Sequence, residues 1–290
     1  IVASYRGNLV FTAGPPSGGG ITLLTALNIL SAFDLKKFNS DSAITYHLTS
    51  EALRRGHNNR SHFVGDPDYF DVPVTQLLSK ERTMELAKSI DIKKATKSTV
   101  VKPLELVKES RDTTHFSIID NEGNAVSNTY TLGYSFGSGV TIPNTGILMN
   151  NQMNNFAYRY GDKNIRGRSA STGNRFEPGK SPMSTMAPTM VFNEEGDLML
   201  ITGSPGGSLI PAAILRVITG VVDFNLDIGQ ATMLPRVHKD WPTTGILYER
   251  TLNSDVVRII NKNIGHKMTP EHTMGSTQSI HIINGTNYGF

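Results

Sequence analysis

The 290 residues contain no cysteine, which excludes disulfides, thiolate nucleophiles and cysteine-held metals. No apolar run approaches the roughly 18 residues that a membrane-spanning helix needs. Basic blocks are also missing: 28 Lys and Arg stand against 25 Asp and Glu, a net charge of +3. Nucleic-acid binding is therefore not indicated, while a pI near 9.0 leaves an anionic small substrate open. The eight histidines form no HExxH or other metal-ligand spacing. His57 and His62, five apart, share a helix face poorly, so neither a metal nor a cofactor is expected. There is no GxSxG elbow, and nothing marks a serine–histidine–carboxylate triad. The opening IVASYRGNLVFTAG has a strand pattern and lacks the basic start of a leader.

What is present is ordinary for a globular chain, 38% hydrophobic and 18% charged, long enough for one large domain or two small ones. After the opening strand, apolar residues at 21, 24, 27 and 30 predict a helix over 21–30. A second helix is predicted over 41–55, capped by Ser40 or Asp41 with Ile44, Leu48 and Ala52 inward, and a third region over 74–89. The lysine-rich stretch 91–108 reads as an exposed, mobile connection. Strands are expected at about 115–120, 124–131, 146–150, 188–193, 197–203 and 277–283, with helices at 209–222, 227–233 and 254–264. A long polar loop covers 157–182. Strands in the middle with helices on either side in sequence predict an α+β chain, a two-sheet sandwich covered by helices. Both ends are abrupt, as in a fragment of a longer protein.

Several short motifs have two readings each. GPPSGGG (14–20) before a helix is either an anion cradle or a tight turn, and it lacks the lysine of a phosphate loop. GSPGGS (203–208) sits between a strand and a helix. Its glycine pair offers two unhindered N–H groups at a helix start, as in an oxyanion hole, and equally suits a plain turn. TTHFS (113–117) opens a strand with two threonines between a charged run and a histidine. β-Propensity alone would explain a threonine pair there.

Taken in order, TTHFS, NNQM (150–153), STMAP (184–188), GSPGGS and MGSTQS (274–279) closely resemble the gamma-glutamyltranspeptidase family of N-terminal-nucleophile hydrolases. GPPSGGG and RSHFVGDPD (60–68) extend the resemblance over essentially the whole chain. It implies an αββα four-layer sandwich, incomplete in this fragment, and a precursor that cuts itself between Asp112 and Thr113. Residues 1–112 would then be the mostly helical end of a large subunit and 113–290 the small catalytic subunit, together one structural domain.

By the same resemblance, Thr113 is both the scissile residue and the nucleophile. A threonine hydroxyl needs a base beside it, and cleavage would expose an α-amine, a group that ordinarily titrates near pH 8. Thr131 matches the position that hydrogen-bonds this nucleophile, and the N–H groups of Gly206 and Gly207 would hold the oxyanion. Ser184 and Thr185 match a pair that binds the substrate's α-carboxylate. Gly133 replaces an Asn or Glu that touches substrate, and Asn155 replaces an aspartate that pairs with the α-ammonium. Arg166 occupies a lid position that is often aromatic. The implied reaction transfers a γ-glutamyl group from glutathione or a related donor to water, an amino acid or a dipeptide, without a cofactor. The implied partner is the absent N-terminal part of the large subunit, and the implied location is periplasmic or secreted. Glutaryl acylases, poly-γ-glutamate transpeptidases and an inert remnant are the alternatives.

Overall fold

The structure is a computed structural model and describes residues 1–97, 112–159, 163–164, 171–243 and 245–290. The chain opens with a hairpin, β1 (Val2–Tyr5) and β2 (Asn8–Thr12). Helices α1 (Gly18–Ser31), α2 (Ala43–Phe63), α3 (Val74–Leu77) and α4 (Lys80–Lys88) follow. Next come the hairpin β3 (Thr113–Ile119) and β4 (Ala125–Thr131), the short β5 (Ala157–Arg159) and β6 (Lys163–Asn164), and the hairpin β7 (Thr189–Phe192) and β8 (Leu198–Thr202). The remainder is α5 (Ile210–Val222), α6 (Ile228–Met233), β9 (Val237–His238), β10 (Gly245–Glu249), α7 (Ser254–Ile259), β11 (Lys267–Glu271), β12 (Ile280–Ile283) and β13 (Thr286–Gly289).

One antiparallel sheet runs in the order β1-β2-β7-β8-β12-β13. The pairing of β2 with β7, Val10 opposite Val191, knits residues before and after Thr113 into a single sheet. The inner face of this sheet carries Val10, Val191 and Leu200, all fully buried beneath α1 and α5. Helix α1 is buried from Gly18 to Leu30, mostly apolar, with its buried polar side chains Thr22, Thr25 and Asn28 each hydrogen-bonded. Each such leucine contributes about 1.5–3 kcal/mol by its burial.

The hairpin β3–β4 lies across the opposite face. Its inward side is polar: Ser127 Oγ donates to the Thr202 carbonyl at 3.1 Å and accepts from the Thr189 N–H at 3.1 Å. Its outward side is apolar, with Ile118, Val126 and Tyr130 about half exposed, 52%, 46% and 55%. Helices, a sheet and a second sheet layer are thus stacked in an α+β arrangement.

Several predicted elements come out differently. The strand expected at 146–150 is a loop, closed by a single bridge between Thr141 and Leu148, because Asn144 and Gly146 both turn the backbone to positive φ. Helix α2 is capped by Ser42 and continues past Arg55 to Phe63. The region 74–89 breaks at Ser79, which caps α4. The opening strand is a hairpin, and the sheet of β9, β10 and β11 has no counterpart among the predicted elements. Of the connection expected to be exposed and mobile, residues 98–108 lie outside the described residues. In the rest, Asp91, Lys93, Lys94 and Lys97 are exposed as expected, but the backbone is held at Asp91 and Thr96 by buried groups described below.

Candidate active site

Thr113 begins β3 and faces Thr131, which ends β4, across the last rung of the hairpin. The Thr131 hydroxyl donates to the carbonyl oxygen of Asp112 at 2.9 Å and accepts from the Gly133 N–H at 2.9 Å. A donor that is itself polarised by a second hydrogen bond is strengthened. The Asp112 carboxylate accepts from the Ser135 N–H at 3.1 Å. Asp112 is therefore gripped at its carbonyl by the end of β4 and at its side chain by the turn that follows.

That turn explains the glycine at 133. Its φ is +96°, and a Cβ there would lie 1.8 Å from Asn151 Oδ1. Asn151 occupies the space, accepting from the Tyr134 N–H at 3.2 Å. An Asn or Glu at 133 would need a different turn.

His115, two residues beyond Thr113, is buried and ties this strand to the GSPGGS loop. Its ring leaves no room for even a Cβ on Gly203, which would come within 2.1 Å. Ser117 Oγ donates to the Gln278 carbonyl at 2.9 Å, so it accepts from His115 Nε2 at 3.2 Å. His115 Nδ1 then accepts from Thr129 Oγ1 at 2.7 Å. Burial pushes the imidazole down to about 4, which keeps it neutral in this network.

Gly206 and Gly207 have φ of +134° and +57°, a conformation that glycine adopts without strain, directly before α5. The loop is stitched to the MGSTQS motif, with Gln278 N–H donating to Gly203 O and Ser276 N–H donating to Ser204 Oγ, both at 3.1 Å.

Ser184 and Thr185 sit against the start of α1. Gly18 N–H donates to Ser184 O at 2.9 Å, Ser184 N–H to Pro16 O at 3.2 Å, and Ser17 Oγ to Met186 O at 2.5 Å. GPPSGGG is thus a turn that clamps the STMAP loop: its Gly18 N–H is spent there, while the Ser17 and Gly19 N–H groups turn back to Gly14 O and Ser17 Oγ. Asn155 ends a short turn, donating through Nδ2 to Gln152 Oε1 at 2.5 Å. It joins the STMAP loop through Asn174, which donates to Asn155 O at 2.7 Å and accepts from Met183 N–H at 2.8 Å. Asn174 is fully buried and is missed by sequence reasoning, to which it is one polar residue in a polar loop. The RSHFVGDPD motif braces the same loop: Asp66 accepts from Ser181 N–H at 2.6 Å, and Ser171 Oγ donates to Val64 O. Arg166 lies outside the described residues.

The structure therefore joins Thr113, Thr131 and Gly133 in one group, Asn155, Ser184 and Thr185 in a second, and Gly206 and Gly207 in a third. His115 and Ser127 bridge them. The gamma-glutamyltranspeptidase family model matches residues 1–290. The chain belongs to the gamma-glutamyltranspeptidase family. It is 39% identical over 291 residues to the glutathione hydrolase proenzyme of Escherichia coli K12, covering 100% of this chain and 50% of the relative. The chain thus spans about half the length of the curated relatives it matches. A gamma-glutamyltranspeptidase variant from Helicobacter pylori superposes with a TM-score of 0.58 at 36% identity, covering 61% of this chain and 97% of that one. Cephalosporin acylase from Bacillus halodurans superposes with a TM-score of 0.81 at 27% identity, covering 99% and 49%. With these likenesses the fold is that of N-terminal-nucleophile hydrolases.

Proposed function

We propose that the whole protein is a γ-glutamyl transferase and hydrolase acting on glutathione or a related donor, and that it matures by cutting itself between Asp112 and Thr113. The observation that carries this is the Thr131 hydroxyl seated on the Asp112 carbonyl oxygen, opposite Thr113. Thr113 Oγ adds to that carbonyl carbon while its proton passes to the amide nitrogen. The C–N bond breaks, leaving an ester of Asp112 on Thr113 and a new α-amine. Water then cleaves the ester, freeing the Asp112 carboxylate. Thr131 would stabilise the negative oxygen of the first step, a type of contact that contributes about 3–4 kcal/mol.

In turnover the α-amine takes the Thr113 hydroxyl proton as the oxygen attacks the γ-glutamyl amide. Gly206 and Gly207 would receive the oxyanion, and the departing amine takes the proton. Ser184 and Thr185 would bind the α-carboxylate. Water or an acceptor amine then removes the acyl group. The match to a chain covering 61% of this one supports the division, because residues 113–290 make up the same share. The half-exposed outer face of β3–β4 supports a further partner layer, the N-terminal part of the large subunit. A periplasmic or secreted location is inferred from the resemblance.

A second reading, an acylase taking glutaryl-like side chains, is favoured by Asn155, which offers no charge to an α-ammonium. The full-length protein assayed with γ-glutamyl-p-nitroanilide and with the glutaryl analogue separates the two. Faster turnover of the γ-glutamyl compound supports the first reading, faster turnover of the glutaryl compound the second, and none of either an inert remnant.

A further inference from the structure

Helix α2 is polar in sequence, yet Glu51 and His47 are fully buried and Arg54 and Arg55 nearly so, at 4% and 9% exposure. Lys239, just after β9, and His266, just before β11, join them at 1% each. Glu51 accepts from Lys239 Nζ at 2.7 Å and from Arg55 at 2.5 Å. The donor direction along the rest is fixed from its far end. His47 Nε2 meets the Asp91 carbonyl at 2.8 Å and must donate to it. His47 Nδ1 therefore accepts from His266 Nε2 at 2.8 Å, and His266 Nδ1 accepts from Lys239 Nζ at 3.2 Å. The result is one directed chain, from a buried ammonium through two neutral imidazoles to a backbone carbonyl.

His47, Glu51 and His266 have the atom types of a metal site. Lys239 occupies the cation's place instead, and the lone pairs a metal would need are already taken by protons. What the cluster holds is the backbone of 89–96. Among the described residues three cations, Lys239, Arg54 and Arg55, face the Glu51 carboxylate, and the two arginines also bond this segment. Arg54 donates to Thr96 O at 2.9 Å, and Arg55 donates to Ser89 O at 3.0 Å, Ser89 Oγ at 2.9 Å and Thr96 Oγ1 at 3.3 Å. Ala95 N–H donates to Ile264 O at 2.8 Å. Burying this much charge is costly unless each group is paired, so the segment and the cluster stabilise one another.

We propose that Glu51, Arg54, Arg55, Lys239, His266 and His47 form an anchor for residues 89–96, positioning the upstream side of the self-cleavage segment and keeping that side docked after cleavage. The proposal rests on the self-cleavage reading above. Asp112 is gripped downstream by Thr131 and Ser135, so the anchor fixes the chain on the upstream side of the scissile bond as well.

The test uses the full-length precursor with Arg54→Met, and with Thr96→Val, which removes one hydroxyl partner of Arg55 and Glu51 while leaving every charged side chain in place. Three quantities are read: the first-order cleavage rate, kcat/KM of the fully processed enzyme, and hydrogen exchange at the Ala95 amide. The anchor predicts cleavage slowed at least about twofold, exchange at Ala95 accelerated about tenfold or more, and kcat/KM unchanged. Wild-type cleavage and exchange in both variants would overturn it, as would kcat/KM falling in step with cleavage, the mark of a merely structural cluster. Exchange at Ala95 does not need cleavage to occur. If Thr113→Ala also matures normally, the self-cleavage reading fails on its own.

Discussion

Thr131→Val is the sharpest probe of the geometry around Asp112. Valine keeps the volume and β-branching of threonine, so the rung opposite Thr113 and the hairpin register should persist. The change deletes one hydroxyl with two bonds, to Asp112 O and from Gly133 N–H, each 2.9 Å. Its cost to folding is small, about 1–3 kcal/mol for the Gly133 N–H left without an acceptor. Its cost to self-cleavage is larger if the hydroxyl meets the developing oxyanion. Losing such a donor takes about 3–4 kcal/mol from the transition state, roughly two to three orders of magnitude in rate. The assay is the first-order conversion of purified full-length precursor into two fragments, followed by gel or mass spectrometry. Thr131→Ser should recover most of the rate. Cleavage of the valine variant within about threefold of wild type would refute the idea that Thr131 acts on the Asp112 carbonyl.

Other consequences can be checked in parallel. Gly206→Ala or Gly207→Ala should lower turnover by about two to three orders of magnitude if their N–H groups form the oxyanion hole, whereas reduced stability with unchanged activity per folded molecule would identify a plain turn. Asn155→Asp should shift kcat/KM toward γ-glutamyl over glutaryl donors by about tenfold, provided Gln152, whose Oε1 now accepts from Asn155, turns its amide. An unchanged ratio would remove Asn155 from the α-amino subsite. Acid should destabilise the fold before carboxylates titrate. His115 and His266 are pushed by burial down to about 4 and about 3, while in the unfolded chain each titrates near 6.5. Their neutral, folded forms are fully favoured above 6.5, and stability falls as pH drops from there toward 4, by about 1.4 kcal/mol per pH unit for each. Denaturant midpoints at pH 7 and pH 5 measure this, and equal stability at the two would contradict it.

The sequence was most informative where backbone chemistry is local. Gly206 and Gly207 require positive φ, Ser17 and the prolines make a turn, and the β3–β4 hairpin alternates with period two, so these were legible without a fold. The groups that hold the site together were less so. Asn151 acts through one side-chain bond from the Tyr134 N–H and Asn174 through two, to Asn155 O and from the Met183 N–H, and nothing local distinguishes them from other polar loop residues. The lower half of α2 was lost because His57, Asn59 and Arg60 are buried polar groups, which a hydrophobic pattern assigns to the surface. Lys93 and Lys94, which are exposed, made 91–97 look solvated, while the backbone at Asp91 and Thr96 was held by His47 and Arg54. A faint signal existed there: His47 and Glu51 are four apart on one helix face.

The central claim is that Thr113 is both the cleavage point and the nucleophile. Intact mass and N-terminal sequencing of the full-length protein test it most directly, on wild type and on Thr113→Ala. Wild type should give two chains, the smaller beginning at Thr113, and the alanine variant one uncut, inactive chain. A single chain in the active wild type, or cleavage that continues in Thr113→Ala, would contradict it.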